Sequence, residues 1–420
     1  MIHRIKNFDA LHTSPARGDA LAMAEAAYDA IDTTTVIRAH LSVENTTLRV
    51  GDHTYDLAAY TRIRVMGFGK VSCAAAIAIE SLLRGHITEG AVIDVRSGTC
   101  DVIDVSEGTH PRPSVHNVAL SERLVGMAKE STAEDLAIVV VSGGGSSLLC
   151  WPIDECEQSM RLYNDFLKTN ASIEEMNTVR RHLSSVKGGG FAGLLYPATA
   201  IGLIFCDIPG DHLEDVASGP TYLDTSTIED AQRILDFYNL SGYVLKETPK
   251  QTRLFERVHN VPVVSNTTAL AAMAHAAQAI GYRVINIGSD LYDAPRALVA
   301  RMFAVAGPKT AVIGAGEPSF AVRGPGGKGG RCQYVSLQAI EQVHESDVFL
   351  AFASDGIDNT DAAGAIVDAS VKALALAKNL SIEGHLADYN AYEFFEATGS
   401  LLFTGVTDAN VSDLFVLIRS

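Results

Sequence analysis

The sequence has no apolar run approaching the ~18 residues that a membrane-spanning helix needs, so no span is expected. Its opening stretch, MIHRIKNFDALH, lacks the long apolar core of a secretory signal, which makes the cytosol the expected compartment. No C-x-x-C pair occurs. The six cysteines, Cys73, Cys100, Cys150, Cys156, Cys206 and Cys332, are scattered without a nearby histidine at metal-ligand spacing and read as reduced, mostly buried thiols. Also missing is any Lys/Arg tract with interleaved aromatics. With a formal net charge of −17 repelling polyanions, nucleic acid is not an expected partner. Two common signatures of phosphate chemistry are absent as well: no G-x-x-x-x-G-K-[ST] and no H-R-D or D-F-G set.

What remains is a globular composition, 47% hydrophobic and 20% charged over 420 residues, long enough for two domains with separate cores. The chain is organised around LAIVVVSGGGSSL (Leu136–Leu148). A short apolar, β-branched run predicts a buried strand, and the turn Ser142, Gly143, Gly144, Gly145, Ser146, Ser147 follows at its carboxyl end. Outward-pointing amides in such a turn can hold phosphate or carboxylate oxygens; a plain packing turn uses the same glycines.

In chain order, helices are expected over Pro15–Ile31 and Thr33–Leu41, then a strand at Arg62–Met66, the turn GFGK (Gly67–Lys70), a helix from Val71 to Leu83 and a strand at Ala91–Val95. GFGK is half of a dinucleotide fingerprint, with Asp94 near the position of a ribose-binding acid, but the third glycine position holds Ser72. Lys70 adds a cation at that strand's mouth. HPRPS (His110–Ser114) is a rigid segment in which His110 either contacts ligand or caps the loop. MNTVRRHLSSVKGGG (Met176–Gly190) places Asn177 and Arg181, and Arg180 and Ser184, on adjoining helical faces. The strand Thr199–Cys206 delivers Asp207 at its end, where open α/β sheets bind ligands. ASGPT (Ala217–Thr221), with Ser218 and Gly219, forms a second small-residue turn.

Polar residues from Ser241 to Asn260 predict a linker, and strands and helices then alternate again from Val261. GEPSFAVRGPGGKGGRCQ (Gly316–Gln333) sets Lys328 and Arg331 among glycines ahead of a helix, either as a hinge or as a polyphosphate-binding loop. SDGIDNTDAAG (Ser354–Gly364) spaces Asp355, Asp358 and Asp361 every third residue, the wrong interval for a calcium loop. Together these strand-end turns, cations and acids make the inventory that phosphoryl transfer requires.

The same segments, in this order, resemble the glycerate 2-kinases of the MOFRL family over about Asp19–Ile418. The resemblance implies an α/β, two-domain fold: a Rossmann-like three-layer domain over residues 1–245 and a smaller C-terminal α/β domain over 255–420, with the active-site cleft between them. It also implies ATP-dependent phosphorylation of the 2-hydroxyl of D-glycerate, with magnesium, in a monomer or homodimer. Lys70, Asp207, Arg331 and Asp355 fall on the family's active-site positions. In the reading that results, the Ser142–Ser147 amides and Arg180 anchor the acceptor carboxylate or a phosphate, and Lys70 and Arg331 neutralise the transferred phosphoryl. Ser218, Gly219 and Lys328 bind phosphate or substrate. Asp207 and Asp355 divide between them the metal and the hydroxyl proton. The chain departs from the family at Ser114, Cys206, Cys332, Tyr334 and Asn359, all beside the expected cleft. A kinase of a related small hydroxyacid, an oxidoreductase acting on hydroxypyruvate and a non-catalytic anion-binding protein are the rival expectations.

Overall fold

The computed structural model describes residues 3–169 and 171–420. The chain divides into two compact units: a central unit of Thr33–Ile208 and His212–Val263, and a terminal unit that joins the segment through Asp32, Pro209–Asp211 and Val264–Ser420.

The central unit begins with a three-stranded antiparallel sheet, β1 (Leu41–Glu44), β2 (Thr47–Val50) and β3 (His53–Asp56), which the sequence reading did not anticipate. Its main sheet contains β4 (Arg62–Phe68), β5 (Glu89–Asp94), β6 (Ile103–Glu107), β7 (Asp135–Val141), β8 (Thr199–Phe205) and β9 (Val258–Val264), in the order β6-β5-β4-β7-β8-β9. The pairings β5–β6, β4–β5, β4–β7 and β7–β8 are parallel. β7 and β8 are buried along their whole length, which is why they read as unbroken apolar runs rather than alternating ones. Phe68 meets Phe191 edge to face at 5.5 Å within a core that includes Leu124, Val139 and Ile204. Each such side chain stabilises the fold by about 1.5–3 kcal/mol. The chain leaves β4 toward β5 on one side and β7 toward β8 on the other, so the β4/β7 boundary is the switch point of a doubly wound sheet, the place where such folds open a crevice.

The terminal unit is built on β10 (Arg283–Asn286), β11 (Thr310–Gly316), β12 (Asp347–Ala353), β13 (Gly364–Asp368), β14 (Leu401–Leu402) and β15 (Asp413–Arg419), ordered β10-β11-β15-β12-β13-β14. Only β10–β11 is parallel; the other pairings are antiparallel. The helix Pro15–Ile31 belongs here. Ser14 caps it by accepting the Arg17 N–H, Arg17 pairs with Asp368 at 2.6 Å, and the Tyr28 hydroxyl donates to the Ala353 carbonyl at 3.0 Å.

Two expectations about organisation are corrected. The strand at Val261–Val264, read as the start of the second domain, is part of β9 and extends the first sheet beside β8. Residues 3–32, read as part of the N-terminal domain, lie in the terminal unit, so neither unit is the contiguous block 1–245 or 255–420. No helix among the described residues is long and apolar enough to cross a membrane.

Candidate functional site

At the switch point the turns after β4 and β7 touch. The Lys70 N–H donates to the Gly143 carbonyl at 2.9 Å, and Gly69 has φ +127, with any Cβ there falling 2.1 Å from Ser142 Oγ. Glycine is therefore required at 69 by close approach as well as by conformation. Ser142 is buried and turned inward; its carbonyl accepts the Gly145 N–H and its Oγ accepts the Val71 N–H at 3.4 Å. Gly145 is likewise buried against Ala217 and Phe68. These two expected ligand residues hold the turn together instead. The N–H groups of Gly143, Gly144 and Ser146 have no protein partner among the described residues, and Gly144 adopts the left-handed φ +79 that lets successive amides diverge from the ladder.

Beside this turn is a cavity of about 210 Å³ lined by His110, Gly144, Ser146, Ser147, Tyr163 and Arg180 among others. Arg180 comes from the helix Ile173–Leu183, whose start is fixed by a Ser172–Glu175 capping box. Its Nη1 donates to Asn177 Oδ1 at 2.8 Å; Ser218 Oγ reaches the same oxygen at 3.3 Å and shares a hydrogen bond with Ser146 Oγ at 2.8 Å. Arg180 makes no ion pair among the described residues, and desolvation lowers its pKa to about 10. A desolvated guanidinium facing unpartnered amides calls for an anion. The neighbouring Arg181 is different in kind, being bound to Asp215 and Asp224.

Ser218 is fully buried, and Ala217, Ser218 and Gly219 occupy three consecutive left-handed conformations, φ +52, +63 and +65. Each non-glycine residue there costs of order 1–2 kcal/mol, and the turn is held by Gly188 N–H to Ser218 O at 3.0 Å and Gly189 N–H to Gly219 O at 2.8 Å. Gly219 thus serves backbone geometry. Ser218 acts on the cavity through Asn177 and Ser146. Beneath lies a buried ion pair, Lys187 with Glu155, in which Lys187 Nζ also donates to Leu149 O at 2.8 Å and Ser184 Oγ donates to Glu155 at 2.7 Å.

Lys70 stands next to the cavity, its Cγ 3.3 Å from where a Cβ on Gly144 would lie, and His110 packs on the same glycine. Desolvation, then the charge of Lys70, pushes the His110 pKa down to about 4. Asp207 follows β8 by two residues and is half-buried, outside the lining of this cavity. Asp94, the residue a dinucleotide would need for its ribose, is fully buried and accepts the N–H groups of Cys73 at 2.8 Å and Val95 at 2.6 Å. Its oxygens are committed to the turn.

In the terminal unit, Arg331 opens the helix Arg331–Ala339 with Nε 2.8 Å from Asp413 and Nη1 3.0 Å from Glu317. Burial works against its charge, but the two acids more than offset it and raise its pKa. Asp358 accepts the N–H groups of Cys332 at 3.1 Å and Gln333 at 2.8 Å, capping that helix. Burial, then Asp413, lifts Asp358 to about 7; burial also lifts Asp413 to about 6, with Arg331 opposing and Glu317 adding to it. The three spaced acids diverge: Asp361 takes the Tyr392 hydroxyl at 2.9 Å, and Asp355, half-buried, accepts the Ile357 N–H at 3.1 Å. Lys328, expected on phosphate, lies over the Tyr392 ring at 3.4 Å. A cavity of about 480 Å³ is lined by Arg331, Glu317, the glycine loop, Phe320, Tyr334 and Tyr389 among others; neither Lys328 nor Asp355 lines it. Sequence reasoning missed Glu317 and Asp413 as partners of Arg331, because only the β11/β15 pairing brings Asp413 near the end of β11.

Among the described residues the one group with three ligand atoms close enough for a single cation is His212, Glu214 and Asp215. It contains neither Asp207 nor Asp355, and Asp215 is engaged by Arg181.

Residues 19–253 match a domain of unknown function, DUF4147, and residues 310–413 match the MOFRL family. A glycerate 2-kinase of Pyrococcus horikoshii is 32% identical over 390 residues, covering 85% of this chain and 87% of its own. A relative from Agrobacterium vitis named for hydroxypyruvate reductase is 32% identical over 384 residues, covering 85% and 87%. The crystal structure of a glycerate kinase from Thermotoga maritima superposes with TM-score 0.84 at 28% identity, covering 96% of this chain and 99% of that one. The chain therefore belongs to the glycerate 2-kinase family, whose DUF4147 and MOFRL regions it carries in sequence.

Proposed function

We propose that this protein is an ATP-dependent kinase that phosphorylates the 2-hydroxyl of D-glycerate to give 2-phosphoglycerate and ADP. The observation that carries the acceptor side is Arg180: a desolvated cation without a carboxylate partner among the described residues, lining a 210 Å³ cavity together with Gly144 and Ser146, whose amides are unpartnered. A small carboxylate bound there completes the hydrogen bonding of these three groups. In the reaction the 2-hydroxyl oxygen bonds to the γ-phosphorus, the bond to the bridging oxygen of ADP breaks, and the hydroxyl proton passes to a carboxylate, Asp207 or Asp355. Lys70, beside Gly144, supplies positive charge to the transferred phosphoryl.

Arg331 enters this reading in a changed role. Paired with both Glu317 and Asp413, it ties the residue after β11 to the start of β15, and less of its charge is left for an anion. For magnesium, Asp207 and Asp355 each offer the hard carboxylate oxygen that Mg²⁺ takes, an ion commonly held by one or two carboxylates together with substrate phosphates. Bound there with the nucleotide, it would supply charge neutralisation to the phosphates. The site of action we assign is the cytosol.

The oxidoreductase reading has one relative's name in its favour and the geometry of Asp94 against it. One experiment separates them: D-glycerate with Mg-ATP in a coupled ADP-release assay, beside hydroxypyruvate with NADH at 340 nm. ADP formation that depends on D-glycerate supports the kinase; NADH oxidation without ADP formation overturns it.

A further inference from the structure

The cavity beside Arg331 in the terminal unit is unlike the one beside Arg180 in the central unit in size and chemistry. It measures about 480 Å³ against about 210 Å³ and has aromatic walls. Phe320 and Tyr334 stack at 4.5 Å with 18° between their planes, Phe320 and Tyr389 lie 6.1 Å apart at 11°, and Tyr334 and Tyr389 lie 5.6 Å apart at 24°. Three near-parallel rings from three separate segments form one stacked π cluster in the cavity wall, whereas aromatic clusters in cores also use edge-to-face contacts, as Phe394 and Phe395 do at 85°. The Tyr389 hydroxyl donates to the Ala321 carbonyl at 3.1 Å, tying the ring to the Phe320 loop. All three rings are only half-buried, and Tyr292 and Val322 beside them are exposed at 47% and 54%. Apolar surface gathered in a concavity of this volume is characteristic of a ligand site.

The polar groups narrow the ligand. Arg331 is matched by Glu317 and Asp413, and the N–H groups at the start of its helix are taken by Asp358. Neither the arginine charge nor the start of that helix is therefore left whole for a phosphate. The cavity offers a face for stacking and, in the Glu317 carboxylate, an acceptor whose second oxygen has no partner among the described residues. A planar heterocycle with an amino group satisfies both.

Resting on the kinase reading above, we infer that this cavity is the base subsite for the phosphoryl donor: the purine of ATP stacks on the Phe320/Tyr334/Tyr389 surface, and Glu317 accepts from its amino group. The glycines of the loop, Gly326, Gly327, Gly329 and Gly330, line the same cavity and let the rest of the nucleotide approach the backbone. Tyr334 is the residue on which this chain's stack is centred, and it stands where the resemblance to the family leads one to expect glutamate.

The test uses calorimetry on the full-length protein with ATP, adenosine and tripolyphosphate, together with steady-state kinetics. Base–aromatic stacking predicts that Tyr334→Ala weakens ATP and adenosine by about 10–100-fold. Tripolyphosphate affinity and the KM for D-glycerate should stay within about twofold, and Tyr334→Phe should restore ATP binding. Phe320→Ala, on a loop, gives the same split should Tyr334→Ala melt at a lower temperature. The inference is overturned if both alanine variants bind ATP as the wild type does, or if they lose D-glycerate and keep ATP. Should the wild type form ADP from D-glycerate while the variants keep its KM for ATP, only the base subsite falls. A wild type that neither binds nor consumes ATP removes the kinase reading along with it.

Discussion

Replacing Arg180 with alanine separates acceptor binding from everything else the protein does. The guanidinium is held by one neutral hydrogen bond, to Asn177 Oδ1 at 2.8 Å, and that oxygen keeps Ser218 Oγ when the arginine is gone. Its charge is disfavoured by desolvation, so removing it costs the fold little, under about 1 kcal/mol in urea unfolding. Binding is another matter. A charge-assisted, two-pronged contact to a carboxylate in a partly dry cavity contributes about 3 kcal/mol, so the KM for D-glycerate should rise roughly 150-fold. Arg180→Lys should recover only part of this, since an ammonium cannot hold both carboxylate oxygens in one plane. The KM for ATP should move by less than about twofold in coupled ADP release. Glycerol, which lacks the carboxylate, should be as poor a substrate for the variant as for the wild type. If the KM for D-glycerate stays within about threefold while that for ATP climbs, Arg180 serves the donor phosphates and the assignment of the cavity is wrong.

Glu155→Gln strands the Lys187 ammonium in the interior, both side chains being fully buried, and should lower unfolding free energy by about 3–5 kcal/mol. The double replacement by methionine should regain most of it; a single-variant loss below about 1 kcal/mol in urea would mean that Lys187 is not charged there. Asp358 gives a pH dependence. Its native pKa of about 7 lies above the unfolded value, so between those two values the native state binds more protons and stability falls as pH rises. Asp413, at about 6, acts in the same direction. Denaturation curves should show the wild type losing roughly 2–4 kcal/mol between pH 4 and pH 8 relative to Asp358→Asn. Parallel profiles for the two proteins would refute the assignment.

The main sheet of the central unit was legible because parallel strands buried on both faces need continuous apolar runs, and Leu136–Val141 and Thr199–Phe205 supply them without Pro or Gly-rich interruption. The anion turn was legible for the same reason that made it ambiguous: glycines serve both amide display and close packing, and here Gly144 does the first while Gly69 and Gly145 do the second. β1–β3 escaped notice because short polar strands such as HTYD carry no hydrophobic period. Val261–Val264 was readable as a strand, but nothing local says which sheet it extends or that it begins at Val258. The partners of Arg331 and the three stacked rings come from positions 14 to 82 residues apart, so no motif announces them. Asp94 had the right position for a ribose contact and the wrong surroundings, a distinction that only burial reveals.

The terminal unit is assembled from both ends of the polypeptide, and this has a consequence for how the protein is made. A ribosome finishes Pro15–Ile31 long before it reaches Ala353 and Asp368, the residues to which Tyr28 and Arg17 are tied. Until the helix Asn266–Ala279, against which it mainly packs, and then β12 have been made, the buried stripe Leu21, Ala24, Tyr28 and Ile31 lacks its partners, leaving the nascent helix a client for chaperones. A protein cut at Val264 loses that helix from its second half, whereas one recircularised by linking Ser420 to the start and reopened after Val263 would make every piece of β10 to β15 and the helix in one uninterrupted stretch.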